Sequence, residues 1–369
     1  MAYNWQHKKW PEFTYALSGI EERSYVFLEK TGMVNGILKS LPEAVKAEAI
    51  VEIMVAEAIK TSEIEGEFLS RKDVMSSIKN NLGLNVSKEK IADKRAKGIG
   101  MLMTDIRRNF GDSLNERNLF RWHSMLLKYN SKITSGNWRT HAGPMQVVSG
   151  AIGKETVHYE APPWERIPKE MARFISWFNE SGPGGKKEIK NALVRSAIAH
   201  LYFESIHPFE DGNGRMGRAI AEKALSQNIG RPVLLSLSGT IEKNKQAYYD
   251  ALKKAQRTLN ITEWIDYFVD VALAAQKFAE ELVAFSLKKT HFFDKYRNLL
   301  NDRQLKALKK MFEAGPAGFK GGMNASKYCS LTKASKATAT RDLRDLLEKG
   351  AIIHLGEGGG RSTKYQLHF

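Results

Sequence analysis

One buried helix of this chain ends at a short, glycine-rich turn. Leu193, Ala197 and Leu201 space a buried helix that runs into His207-Pro208. Proline disfavours helical geometry in the residue before it, so His207 is expected just past the helix end. A second helix is expected to start in the turn Gly212-Asn213-Gly214 and to run through Arg218 to about Leu225. Helix, glycine turn, helix is therefore the frame on which the rest of this chain must be built.

The turn has a chemistry of its own. Gly212 and Gly214 let the main chain bend tightly and approach a ligand closely. The following helix points free N–H groups and a partial positive charge into that space. The result is an anion hole suited to the α- and β-phosphates of a nucleotide. Arg215 and Arg218 are three apart, so both project from one helix face and can fork onto phosphate oxygens. Asp211 is placed to hold Mg²⁺. Asn213 can donate to the phosphate under attack. His207 can take the proton of an incoming hydroxyl, because imidazole titrates near neutral pH. Phe209 is read as a core anchor, and His200 as structural. Gly212-x-Gly214-x-x-Gly217 also fits the dinucleotide-binding fingerprint. That fingerprint needs a preceding β-strand, and here a helix precedes it.

The bulk composition agrees with a folded, basic protein. The 369 residues are enough for two or three domains. A net charge of +16 favours polyanions or nucleotides as partners. The only cysteine is Cys329, which excludes an intramolecular disulfide and a cysteine-rich zinc site. The first residues lack the apolar core of a signal peptide. The best apolar stretch, Ala49 to Ile59, is broken by Glu52 and Glu57, so no membrane span is expected. A cytoplasmic setting follows as the expectation. His-Glu-x-x-His, the Walker lysine loop and the Gly-x-Ser-x-Gly elbow do not occur.

Residues 1–115 read as largely helical. Pro42-Glu43 starts one helix, and Ile50, Ile53, Met54 and Ala58 share a face of it up to a bend at Gly66. Trp122, Met125, Leu126 and Tyr129 mark another. Val147-Val148, the stretch Ser149–Gly153 and Thr156–Tyr159 read as a β-hairpin that Pro162-Pro163 stops. Helices are expected at 167–179, 242–257 and 262–287. From about 290 the character shifts, and residues 301–369 hold 13 Lys and Arg against 6 Asp and Glu. Three helices, near Leu305–Phe312, Ala325–Cys329 and Lys336–Lys349, precede a closing hairpin around Gly356–Gly360. This order looks like a winged helix-turn-helix.

The run His207-Pro208-Phe209-Glu210-Asp211-Gly212-Asn213-Gly214-Arg215-Met216-Gly217-Arg218 resembles the signature of the Fic family. That family usually transfers AMP from ATP to a hydroxyl on another protein. The resemblance implies a mainly α Fic-type helical core with a β-hairpin flap, His207 and Asn213 as catalytic groups, and Asp211 as the metal ligand in preference to Glu210. It implies that ATP binds along Asp211–Arg218, Met216 and Gly217 included.

Thr61-Ser62-Glu63-Ile64-Glu65-Gly66 resembles the family's inhibitory motif, whose glutamate pairs with the second arginine of the signature, here Arg218. A carboxylate on that fork competes with the γ-phosphate. The hairpin near 146–160 resembles the family's flap, with Val157, His158, Tyr159 and Glu160 against the nucleotide. Lys243–Tyr249 resembles a segment near the adenine, where Tyr248 would stack on the base and Gln256 bond its edge; Tyr249 reads equally as core. The resemblance divides the chain into an N-terminal helical region with the inhibitory helix (1–115), a catalytic core (116–289) and a winged helix (290–369).

The expected function is transfer of AMP to a Ser, Thr or Tyr hydroxyl of a target protein and of the chain itself, restrained by Glu65, with Mg²⁺ and plausible homodimerisation. Removal of AMP, or another nucleotide donor, on the same scaffold is the alternative. A DNA-binding regulator with a nucleotide-sensing site is the alternative of another class. Lys333, Lys336, Arg341 and Arg344 lie in or near the expected recognition helix and would meet phosphates. Asp342, Asp345 and Glu348 interleave with them and weigh against DNA.

Overall fold

A computed structural model describes residues 2–85, 87–149, 156–316, 318–356 and 363–369. The centre of the hairpin at 150–155, and 357–360 of the glycine turn expected at 356–360, lie outside the described residues. The chain is mainly helical, with two short antiparallel hairpins among the described residues. It forms two compact units: Met1–Gly36 with Ile50–Ala279, and Ile37–Ala49 with Glu280–Phe369.

α1 (Ile20–Ser40) and α2 (Glu43–Ile64), each with residues in both units, lead to α3 (Arg71–Leu82), α4 (Lys94–Arg108) and α5 (Glu116–Leu127) of the first unit. The hairpin β1 (Gln146–Ser149) and β2 (Thr156–Glu160) follows, then α6 (Ile167–Glu180). At the centre lie α7 (Ala192–Ile206) and α8 (Asn213–Ile229), packed against each other. Every residue of α7 is buried. A helix apolar on all sides must be surrounded, and Leu193, Ala197 and Leu201 mark it as such. Asn191 caps its start by accepting from Leu193 N–H (3.1 Å) and Val194 N–H (3.2 Å).

Two short helices, α9 (Leu237–Lys243) and α10 (Lys245–Ala255), are followed by the long α11 (Thr262–Tyr296), whose residues from Glu280 on belong to the second unit. The expected helix at 242–257 is thus two elements, parted at Asn244, which caps α10 by accepting from Ala247 N–H. Tyr129, read as part of α5, lies beyond its end.

Glu57 shows where reading by apolarity misleads. It interrupts an apolar run in the sequence, yet it is buried. Its carboxyl accepts from the Ser236 hydroxyl and the Ser238 N–H and hydroxyl. Burial raises its pKa, against those hydrogen bonds.

In the second unit, α12 (Asp302–Phe312), α13 (Ala325–Thr332) and α14 (Lys336–Glu348) precede β3 (Ile352–His354) and β4 (Tyr365–Leu367). Met323 adds an antiparallel bridge to Tyr365. Phe292, Leu308, Phe312, Tyr328, Leu343 and Ile352 belong to a core of its own. Among the described residues no helix is long and apolar enough to cross a membrane.

Candidate active site

α7 ends where the proline requires. His207 is its C-cap and adopts the left-handed region, φ 50° and ψ 59°. A non-glycine residue there is strained by about 1 kcal/mol or more, and such strain concentrates at functional sites. The surrounding structure holds it in place. Arg139 Nε donates to the His207 carbonyl (2.8 Å), and Arg139 N–H to the Pro208 carbonyl (2.9 Å). Arg139 is itself buried, and burial lowers its pKa to about 10. Nothing in the sequence pattern singled out Arg139.

The turn is braced on both sides. Phe209 is fully buried and stacks on the His123 ring at 3.9 Å and 6°. His123 Nδ1 accepts from Gly136 N–H (2.9 Å), which leaves Nε2 to donate to the Asp211 carbonyl (3.1 Å). The Asn213 carboxamide is committed to the loop. It accepts from Phe209 N–H (3.0 Å) and donates to the Phe209 carbonyl (2.8 Å). What Asn213 offers the cavity in this arrangement is its backbone amide at the start of α8, not the side chain read from the sequence. Gly212 precedes it with φ 79°, a conformation glycine adopts without penalty.

Before this turn opens a cavity of about 790 Å³, within the usual range for small-molecule sites. His207, Asp211, Gly212, Asn213, Gly214 and Arg218 line it from the turn and α8. His158 and Tyr159 line it from the hairpin, Tyr248 and Gln256 from the α10 region, and Glu65 from the end of α2. Val157, Glu160, Arg215, Met216 and Gly217 are not among its lining residues. Tyr248 is 2% exposed, with its hydroxyl on His200 Nε2 (2.9 Å). Tyr249, read equally as core, is the open ring of the pair at 36%. Both line the cavity.

The contact between Glu65 and Arg218 that the resemblance implies is present. Arg218 Nη2 meets Glu65 Oε1 at 2.7 Å. The same guanidinium donates to the Thr61 hydroxyl (2.7 Å) and carbonyl (3.0 Å). Gly214 makes room for this contact, since a Cβ there would fall 2.3 Å from Glu65 Oε1. Lys245 Nζ donates to the Ile64 carbonyl at the end of α2. Burial alone would raise the Glu65 pKa; attraction by Arg218, then by Arg215 and Lys245, outweighs it and lowers the pKa. Burial works against the Arg218 cation, and Glu65 more than restores it.

A second carboxylate escaped the sequence reading. Glu67 Oε2 accepts from Arg215 Nη1 (2.8 Å), and Glu67 Oε1 from the Tyr129 hydroxyl (2.9 Å). Both arginines of the turn are therefore held by acids two residues apart in one segment. The only signal available was that another acid follows Gly66.

The hairpin is tied to the same centre. The Tyr159 hydroxyl donates to the Ser205 carbonyl (2.6 Å), and Trp5 Nε1 to the Glu160 carbonyl (2.8 Å). Asn4 Nδ2 reaches the Ser205 hydroxyl (2.8 Å). The N-terminal segment thus holds the base of the hairpin to the end of α7. Val148 and Val157 remain exposed.

Fold and site together define a helical protein whose central turn and the helix after it present backbone amides, a strained histidine and an arginine held by Glu65 to a single cavity. Residues 113–225 match the model of the Fic/DOC family, and residues 3–84 match a domain of unknown function, DUF4172. It is 31% identical over 98 residues to a probable protein adenylyltransferase of Aquifex aeolicus, covering 27% of each chain. It is 27% identical over 130 residues to the protein adenylyltransferase fic-1 of Caenorhabditis briggsae, covering 35% of this chain and 23% of that one. The chain spans about a quarter of the length of these curated relatives. A crystal structure of a Fic family protein from Desulfovibrio desulfuricans G20 shares the fold, with TM-score 0.55 and 20% identity over 97% of this chain and 98% of that one.

Proposed function

We propose that this protein is an adenylyltransferase that moves AMP from ATP to a Ser, Thr or Tyr hydroxyl of a target protein, the chain itself included. The observation that carries the reading is the convergence of His207, the α8 amides and the Glu65–Arg218 pair on one cavity. The triphosphate lies along the amides of Gly212–Gly214 and on Arg218 once Glu65 yields. Tyr248 and Gln256 flank the base, with Tyr249 beside them. The exposed strands of the hairpin align the target segment by strand pairing.

His207 takes the hydroxyl proton as the target oxygen bonds to the α-phosphorus. The bond to the bridging oxygen breaks and pyrophosphate leaves with the electron pair. Burial, then Arg139, lowers the His207 pKa to about 4, so the ring is a free base at neutral pH. Asp211 fits as the holder of Mg²⁺. Its side chain is 49% exposed and faces the cavity, and its Oδ1 accepts from Gly212 N–H. Among the described residues no group of three or more His, Cys, Asp or Glu stands ready as a metal cage. One carboxylate completed by phosphate oxygens is the arrangement Mg²⁺ favours. Bound there, the ion would neutralise charge on the departing pyrophosphate.

The test is incubation with α-labelled ATP, with UTP, GTP and CTP in parallel. Label on the chain or a partner, increased in Glu65→Gly and lost in His207→Ala, is the expected result. No label in any of these forms removes the reading. Net loss of AMP from a pre-labelled target would instead select the reverse reaction.

One observation favours a second role for residues 290–369, read as a winged helix-turn-helix. The aspartates that weighed against DNA do not share the exposed face of α14. Asp342 is buried and accepts from Arg303, the Tyr328 hydroxyl and Asn301 Nδ2. Asp345 accepts from Gln304 Nε2 and Lys349 Nζ. Lys336, Thr340, Arg341 and Arg344 stay exposed. Duplex retardation that weakens steeply with salt tests that face; its loss should follow Arg341→Ala.

A further inference from the structure

Glu204 lies one turn before His207 on α7, is 4% exposed and lines the cavity. Its Oε2 is 3.7 Å from His207 Nδ1. Neither His207 Nδ1 nor Glu204 Oε1 has a hydrogen-bond partner, although both atoms are buried. Gly217 on α8 leaves the space it occupies: a Cβ there would fall 2.5 Å from Glu204 Oε1. Burying a carboxyl oxygen without a partner costs free energy. An arrangement kept at such a cost, beside a strained histidine, points to use.

We propose that Glu204 is a positioning residue for His207: its carboxylate accepts from Nδ1–H, leaving the lone pair on Nε2, and it holds the imidazolium that forms when Nε2 takes the target's hydroxyl proton. The 3.7 Å separation closes to a hydrogen bond as the ring becomes charged. Glu204 first releases its own proton to solvent. The hydroxyl proton then resides on Nε2 until it leaves with the product state, and Nδ1–H stays on the ring.

The environment sets when this happens. Burial pushes Glu204 up to about 8; Arg218 from α8 opposes this and Glu65 from the α2 end adds to it. The Tyr248 hydroxyl from α10 and His200 from the same helix also face it, while Arg139, the Glu204 backbone, Glu65 and Asp211 act on His207. With His207 at about 4, transfer should rise as Glu204 ionises, from about pH 6.5 to 8.5.

The inference rests on the adenylyl-transfer reading, so its test has one arm that needs no activity. In the Glu65→Gly background, Glu204→Gln should lower kcat by ~30-fold at pH 8.5, remove the rise with pH, and leave KM for ATP within about twofold. Glu204→Asp should restore part of the rate and the rise. An unchanged rate and pH profile in Glu204→Gln overturns the proposal. The second arm is nitrogen NMR of histidine-labelled protein at pH 8.5. His207 should be the Nδ1–H tautomer in the parent and a mixture of tautomers in Glu204→Gln. Identical tautomer populations overturn it even where no nucleotide transfer is seen. If Glu204→Gln does not fold, the Glu204→Asp spectrum and profile decide in the same way. Absence of transfer in every form, with the tautomer change present, sinks the reaction assignment and leaves the pair.

Discussion

The two ends of α7 bury charge in opposite ways. Near its start, Arg195 is fully buried and all three of its nitrogens donate. It reaches the Ser181 hydroxyl, the Phe178 and Ala224 carbonyls, and the side chains of Gln227 and Asn228. Near its end, Glu204 Oε1, His207 Nδ1 and His200 Nδ1 have no hydrogen-bond partner. One helix in one core thus carries a saturated cation and, about one to three turns later, a cluster of groups waiting for partners. A saturated network stabilises and fixes; an unsaturated one holds pKa values away from their ordinary range and waits for a ligand or a proton. Burial lowers His200 to about 3 and His207 to about 4.

Removing His207 should have the largest effect. His207→Ala is expected to cut transfer by ~1000-fold. His207→Gly should do the same while raising Tm, because glycine adopts φ 50° without strain. Differential scanning calorimetry beside the labelling assay reads both. A glycine variant that melts lower would remove the claim that this end of the helix stores strain.

Arg195→Ala should act at the other end in the opposite sense. It strands the Phe178 and Ala224 carbonyls in the core and should cost about 3 kcal/mol. Transfer per folded molecule should stay near that of the parent. Activity lost faster than folded protein would dissolve the contrast.

The contrast was partly legible in the sequence. The buried helix, the break at His207-Pro208 and the start of α8 follow from apolar spacing and proline geometry alone. The Glu65–Arg218 pair was legible only through the resemblance of Thr61, Glu65 and Gly66 to the Fic inhibitory motif, since no spacing alone joins them. Arg139, Glu67 and Glu204 were not legible. Each acts on a residue 68, 148 or 3 positions away by a contact that no periodicity encodes. Glu204 sits near its target in sequence, but on an apolar helix an isolated acid looks like one more surface residue. Asn213 shows the reverse limit, since the motif names it and only the fold shows its carboxamide spent on Phe209.

Releasing the restraint should have an intermediate effect. Glu65→Gly removes one partner of Arg218 while the Thr61 contacts remain. Nucleotide affinity and labelling should both rise ~10-fold, a coupling of about 1.4 kcal/mol. Isothermal titration with a non-hydrolysable nucleotide reads the first. An unchanged affinity would mean that Glu65 does not compete for the arginine fork.

The smallest effect concerns pH and separates the two ends most cleanly. Glu204 has its folded pKa raised, to about 8 from an ordinary value of 4.5. The folded state therefore holds a proton that the unfolded chain gives up above about pH 4.5. That contribution to stability is fully present below pH 4.5 and is lost as pH rises through about 8. His207 runs the other way: depressed to about 4, it contributes above its ordinary 6.5 and loses that as pH falls through about 4. Glu204→Gln deletes the first dependence and keeps the second. Its Tm relative to the parent should climb steadily from pH 5 to pH 8.5, while the acid limb set by the histidines stays in place. Arg195 is charged in both states across this range, so Arg195→Ala should lower Tm by an amount that does not change with pH. A Glu204→Gln curve parallel to the parent would mean that this carboxyl is already ionised and partnered in the core, as saturated as the arginine at the far end of its helix.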